Sequence, residues 1–309
     1  AATSLKAIVG GAVAGTLAQD ESGLMAFITT RAIKARPSHS PCPSQIASTR
    51  NMSSYPIYSD YSPIADLTVR NRLEFEVRPN NPIALLTHIG RDCPGGVQFC
   101  KEDDLGAVLN QTGNYNPLSE YEIAQRLSSV RQDETASWMG SEESWPLGGN
   151  QGKFALGLHN GSWRECIGAA ATAHIFKNGV VGFKFQALNE YICMKAAARL
   201  GINAADVEYR FFEDNPALIV SRYDRVLDAS GNIARLHQED FCQALGVMPN
   251  QKYTADGGPT TRDALRLLCS TKNAHLNLLL FTQMIFFNCL IGAPDAHAKN
   301  YSLILGNGR

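Results

Sequence analysis

Four polar side chains, Asp295, His297, Lys299 and Asn300, are crowded into the run GAPDAHAKNYS from Gly292 to Ser302. A carboxylate, an imidazole, an ammonium and an amide are groups that take up protons, bind anions or ligate metals. Alone, they equally fit a polar loop capping a core helix, because an Asp and an Asn five apart recur by accident. A second set lies upstream, where Leu147 to Lys153 (LGGNQGK) precedes alternating Phe154, Leu156 and Leu158 and a turn at His159, Asn160 and Gly161. It is not a Walker A loop: Leu147 stands where the first glycine belongs, Phe154 follows Lys153, and a strand comes next. A glycine-rich turn lets backbone N–H groups approach phosphates, though an ordinary hairpin loop has the same composition. Lys177 ends the short strand Ala173 to Lys177 (AHIFK), and Glu190 lies in the helix that follows. A strand-end lysine is usually a solvated group, and an early glutamate is favoured by the helix dipole. A lysine that faces phosphates also needs an anion to hold its rotamer, and Glu190 is the candidate.

The elements that must position these groups follow from periodicity. Leu278 to Ile291 reads as a buried core helix; it is short for a membrane span and carries Thr282, Gln283 and Asn288. Tyr301 to Leu305 reads as a strand. Asn189 to Leu200 forms a helix stopped by Gly201, and Val207 to Phe212 pairs antiparallel with Ala217 to Tyr223. Residues 1–30 read as two or three strands turning at Gly10-Gly11 and at Asp20 to Gly23. The glycine pair splits Leu5 to Leu17, which argues for a β-meander against a secretory leader. Arg36 to Pro63 is Ser/Pro-rich and reads as loop or linker. Leu105 to Gln132 reads as short helices, the clearest being Ser119 to Ser129 with Ser119 as cap and Glu122 three residues on. Gln132 to Ser144 is an acidic boundary. His237 to Gly246 reads as a capped helix and Tyr253 to Thr260 as a loop, both structural.

The 309 residues are 44% hydrophobic, enough for a large core in two domains or two lobes. A net charge of −1 gives no global basic field for nucleic acid or an anionic membrane. Eight cysteines without any C-x-x-C read as reduced, mostly buried thiols of a cytosolic protein, with neither zinc nor disulfides.

The string DAHAKN after an LIG helix end resembles the catalytic loop of the HipA-type serine/threonine kinases, toxin halves of bacterial toxin-antitoxin pairs. GGNQGK, AHIFK and SRYDR resemble further family segments, as do the D-E-S-G turn, VRNRLEF and HIGRDCPGGVQF in the N-terminal part. The likeness covers residues 5–27 and 69–309. It implies an α+β fold: a protein-kinase-like two-lobed core, with a β-rich N-lobe and a helical C-lobe cut short, preceded by an N-terminal β-meander subdomain. The implied divisions are residues 1–100, a helical and acidic connector 101–144, and the core 145–309.

The same resemblance implies the site. Gly148, Gly149, Asn150, Gln151, Gly152 and Lys153 would cradle the phosphates of ATP, and Lys177 would pair with them, supported by Glu190. Ser221 and Tyr223 would meet the adenine through the backbone, with Arg222 between them in the ATP-binding set. Asp295 would orient the acceptor hydroxyl and Asn300 would hold Mg2+, with His297, Ala298 and Lys299 lining the loop near the γ-phosphate. The implied activity is phosphorylation of a translation-related protein such as an aminoacyl-tRNA synthetase. The implied partner is a helix-turn-helix, HipB-like antitoxin, with DNA contacted mainly through it, in the cytoplasm and away from membranes. An inactive form that still binds the antitoxin and a small-molecule kinase of the same fold are the alternatives.

Several positions depart from the family pattern. Ser221 replaces the usual Glu. Pro146 stands at the family's autophosphorylation serine, so that off-switch is expected to be absent unless Ser144 substitutes for it. Residues 28–68 match nothing in the family, as a frame slip or a diverged insertion would. The sequence ends at Arg309, ahead of the second Mg2+ aspartate expected beyond it, and lacks an initiator Met; a fragment is the expectation.

Overall fold

Gly10 and Gly11, at φ of 58° and 76°, form the two-residue turn between β1 (Thr3–Val9) and β2 (Ala12–Gln19), a connection that suits the twist of paired strands. β3 (Met25–Thr29) pairs with β2. After α1 (Pro82–Ile89), β4 (Val97–Cys100) pairs with β1, so the antiparallel sheet runs β3-β2-β1-β4. The meander is therefore closed by a strand from the HIGRDCPGGVQF run. The computed structural model describes residues 3–21, 24–29, 82–132, 151–180, 182–229 and 231–305. The Ser/Pro-rich segment, VRNRLEF, the acidic boundary with Ser144 and Pro146, Gly148 to Asn150 and Cys42 lie outside these residues.

α2 (Leu105–Leu109) leads to β5 (Gly113–Pro117), a strand that the helical reading of this region missed. GNYNP lacks apolar alternation because β5 is an edge strand, paired only with β7 and mostly open to solvent. α3 (Glu120–Gln132) starts at the expected cap. The Ser119 N–H donates to Glu122 Oε2 at 2.8 Å and the Glu122 N–H to Ser119 Oγ at 3.3 Å, a reciprocal capping box. Ile123, Leu127 and Val130 on its inner face are buried.

β6 (Lys153–His159), β7 (Ser162–Gly168), β8 (His174–Lys177), α4 (Gln186–Arg199), β9 (Val207–Phe212) and β10 (Asn215–Ser221) follow. With β5 the strands form one antiparallel sheet ordered β5-β7-β6-β8-β10-β9. α4 begins three residues ahead of the expected Asn189, its N-terminus set by Phe185 in the left-handed region at φ 60°. Leu17, Phe27, Ile83 and Phe99 of the meander side belong to one core with Leu127, Phe154, Phe176, Phe212 and Ile219. Each such side chain contributes about 1.5–3 kcal/mol on burial, so the two sheets stabilise one another.

β11 (Arg225–Leu227) and β12 (Ile233–Arg235) make a hairpin after β10. Then come β13 (His237–Asp240), α5 (Phe241–Leu245), α6 (Thr261–Cys269), α7 (Ala274–Leu290) and β14 (Ser302–Leu305), which pairs with β13. The helix expected from His237 is thus corrected. Its first four residues are strand, and the helix starts at Phe241 because Asp240 caps it, accepting the Gln243 N–H at 2.9 Å.

A second core of Phe241, Leu268, Phe281 and Tyr301 joins these elements. α7 is not the buried helix its composition suggests. Phe281 faces the core, while Leu276, Leu279, Phe286 and Leu290 line the opposite side, 53%, 56%, 67% and 82% exposed. The described residues cover one side of a helix that is apolar all round. None of their helices is long and apolar enough to cross a membrane. Their seven cysteines are in no disulfide; Cys93, Cys100, Cys166 and Cys242 are buried, but Cys269 and Cys289 are exposed.

Candidate active site

β8 lies between β6 and β10, and the register sets Lys177 opposite Lys153 on β6 and Leu218 on β10. Directly paired residues of antiparallel strands share a face, so both lysines leave the sheet on the same side. The next pair, Phe154 and Phe176, stacks on the other side with ring centroids 5.1 Å apart. Lys177 Nζ donates to Glu190 Oε1 of α4 at 2.5 Å, a charge-assisted bond that fixes the lysine at the end of its strand.

Gln151 and Gly152 lead into β6. Gly152 is buried, and a Cβ there would stand 2.2 Å from the Val130 carbonyl oxygen, so only glycine allows this approach to α3. A cavity of about 250 Å³ opens at the β8–α4 connection, lined by Val180, Phe183, Lys184, Gln186 and Asn189. Neither Lys177 nor Glu190 lines it, so it is not assigned to a nucleotide.

The segment after β10 differs from expectation. The Ser221 N–H is committed to the Asp206 carbonyl at 2.9 Å and the Arg222 N–H to the Ala173 carbonyl at 2.8 Å, which removes both as donors to a base. The Arg222 side chain is turned inward and is not a nucleotide contact. Its guanidinium forks onto Asp224 (3.0 and 2.9 Å) and reaches Thr172 Oγ1 at 2.8 Å and Asp92 Oδ2 at 3.3 Å. Tyr223 is half-exposed.

Arg225 Nη2 and Arg235 Nε also converge on Asp92 Oδ1, at 2.9 and 2.7 Å. Burial alone would push the Asp92 carboxyl up. Arg225, Arg235 and Arg222, with the Thr172 hydroxyl, outweigh it and hold the group well below the usual carboxylate range. Burial and the neighbouring Arg222 charge pull Arg225 down to about 10. Sequence reasoning missed Asp92. Its only signal was a charged residue set between the apolar α1 and Cys93 in HIGRDCPGGVQF.

α7 ends at Leu290, Gly292 turns the chain at φ 65°, and the loop that follows exposes the Asp295 side chain (68%). The Asn300 amide N–H donates to the Asp295 backbone carbonyl, closing the loop so that the two residues stand on one turn and turning the amide oxygen away from it. His297 Nε2 is 3.5 Å from Asp295 Oδ1, and its side chain is only 6% exposed. Burial holds the imidazole pKa below its ordinary value, against the opposing pull of Asp295, so the ring is neutral near pH 7. His297, expected beside the γ-phosphate, packs into the loop instead, with Tyr253 edge-on above it at 4.9 Å. The Ala298 N–H donates to the Lys252 carbonyl at 3.3 Å, and Lys299 is half-buried. Among the described residues no group of three His, Cys, Asp or Glu side chains could hold a metal.

Comparison with known proteins adds to this geometry. The family model for the HipA-like C-terminal domain matches residues 145–309. A protein named putative kinase Y4mE, from Sinorhizobium fredii, is 37% identical over 236 residues, covering 74% of this chain and 55% of its own length. The serine/threonine-protein kinase toxin HipA of Shewanella oneidensis is 30% identical over 242 residues, covering 74% and 54%. The chain thus spans about half the length of these relatives. Among solved structures, the complex of HipA, HipB and operator DNA from Shewanella oneidensis matches with a TM-score of 0.75 and 27% identity, over 97% of this chain and 72% of that one.

Proposed function

The chain belongs to the HipA-like family, and from that premise we propose that it is an ATP-dependent protein serine/threonine kinase of a toxin-antitoxin module. The observation that carries the reading is the Lys177–Glu190 pair, at the end of a strand flanked by the one that the glycine-rich run enters. A strand lysine held by a helix glutamate is the arrangement by which kinases present an ammonium to the α/β-phosphates of ATP. Lys153 adds a second ammonium on the same face, and Tyr223 offers its backbone to the base.

Asp295 is exposed and can receive the proton of a serine or threonine hydroxyl. The acceptor oxygen then forms the new bond to the γ-phosphorus, the bridging P–O bond breaks, and its electron pair leaves with ADP. When bound, Mg2+ would supply neutralisation of the charge on the phosphate oxygens, with Asn300 as the residue that would hold it. The donor chemistry fits it: the Asn300 amide oxygen is directed away from the bond its N–H makes, and Mg2+ commonly draws much of its shell from phosphates and water. Gly148, Gly149 and Asn150 are proposed with Gln151 and Lys153 as the phosphate cover.

The proposed partner is a HipB-like antitoxin, supported by the composition of the matching complex. The net charge of −1 favours DNA contact through that partner. The proposed substrate is a translation-related protein. Incubation with Mg2+ and γ-labelled ATP tests the reading: label in protein serine or threonine supports it. Label in a small-molecule fraction favours a metabolite kinase, and no thermal shift with Mg-ATP would leave an antitoxin-binding scaffold.

A further inference from the structure

Tyr253 belongs to a loop that composition marks only as a connection, yet its hydroxyl donates to Asp295 Oδ1 at 2.9 Å. The same bond raises the phenol pKa above its ordinary value. The loop is built to hold that phenol still. The N–H groups of Asp256 and Gly258 both donate to the Tyr253 carbonyl at 3.0 Å, and Thr254 Oγ1 donates to the Pro259 carbonyl at 2.9 Å. Gly258 sits so close that a Cβ would lie 1.9 Å from the Gln251 carbonyl oxygen. Thr260 then caps α6 in a reciprocal box with Asp263. On the other side the Lys252 carbonyl takes the Ala298 N–H, and the Tyr253 ring stands edge-on over His297, so the two loops are tied at three points.

An exposed aspartate on a loop turns freely about its side-chain bonds, and a base that must meet a hydroxyl in one geometry loses rate when it does. We propose that Tyr253 is a positioning residue for phosphoryl transfer: its hydroxyl occupies Asp295 Oδ1 and presents Oδ2 to the acceptor hydroxyl. This rests on the reading of Asp295 as the group that receives the acceptor proton. His297, 3.5 Å from the same Oδ1, backs the arrangement from below.

Tyr253→Phe removes one oxygen and keeps the ring on His297. The expected result is a kcat about tenfold lower with the KM for ATP within about twofold, using γ-labelled ATP and a pool of serine and threonine peptides. A purely structural ring predicts wild-type kcat for Tyr253→Phe and loss only for Tyr253→Ala, and that pattern overturns the proposal. Asp295→Asn separates the two failures. Wild-type transfer by Asp295→Asn, or no transfer by the parent chain, removes the reading and this inference with it; an inactive Asp295→Asn beside a fully active Tyr253→Phe removes this inference alone. A readout independent of turnover uses NMR of tyrosine labelled at the ring carbon bearing the hydroxyl. The Tyr253 signal, identified by its loss in Tyr253→Phe, is expected to titrate at lower pH in Asp295→Asn, and an unchanged midpoint overturns the bond on which the proposal stands.

Discussion

Lys177 Nζ and Glu190 Oε1 meet at 2.5 Å across the gap between β8 and α4, with side chains only 21% and 29% exposed. Lys177→Ala is expected to lower kcat/KM for ATP roughly a hundredfold, the scale of one lost preorganised donor to developing charge. Glu190→Gln should cost less, because the lysine stays while its orientation loosens. The double swap Lys177→Glu with Glu190→Lys rebuilds an ion pair but moves the ammonium onto the helix, so it is expected to stay inactive. Steady-state kinetics of the three variants checks this, and a swap that recovers activity would reduce the pair to a structural tie.

Asp92 pairs with three buried guanidiniums, two of which also meet Asp224, and removing one partner of such a set leaves uncompensated charge in the interior. Asp92→Asn is expected to destabilise the chain by about 3–5 kcal/mol in urea unfolding at pH 7. Because its folded pKa is depressed, the stability it contributes is complete above the unfolded carboxylate value of about 3.9 and is lost as pH falls below that. The wild-type chain should therefore lose stability between about pH 4 and pH 2 more steeply than Asp92→Asn.

His174 lies on β8 with its ring edge against Trp163, 5.1 Å between centroids, and burial lowers its pKa. The unfolded chain binds a proton on this residue at a higher pH than the folded one. Stability is then full above about pH 6.5 and falls as pH drops below it. His174→Gln should flatten the part of the Tm-against-pH curve between about pH 6.5 and pH 5 that this residue supplies, measured by calorimetry.

Gly152 separates two meanings of a glycine. Gly152→Ala drives a Cβ into the Val130 carbonyl and is expected to cost about 1–3 kcal/mol of stability and to displace the start of β6. A role limited to phosphate contact would raise the KM for ATP without moving Tm, so the two measurements together distinguish packing from binding.

What the sequence disclosed and what it hid have separate physical origins. The meander, the sheet strands and the Ser119 cap were legible because alternation, glycine turns and a three-residue capping spacing are local signals. The polar β5 was hidden, since an edge strand need not alternate, and so was the exposed stripe of α7, since composition alone does not show which side of an apolar helix finds cover. Within the site, the lysine and glutamate could be named from their places on strand and helix. Asp92 and Tyr253 could not, nor could the inward turn of Arg222 toward Asp92, because these contacts join residues 42 to 143 positions apart, and no local spacing records them.

The clamp that Asp92 makes on Arg222, Arg225 and Arg235 limits how the protein can be dissected. Residues 145–309, the stretch that the family model matches, omit this carboxylate, the β5 edge and the α3 lid over the sheet. Excised alone, that stretch would expose its share of a common interior, take the carboxylate from Arg235 and leave Arg222 and Arg225 with Asp224 alone. Autonomy of the matched carboxy-terminal domain is thus incomplete in this chain: the amino-terminal sheet shares its interior and is not an appendage that can be trimmed away.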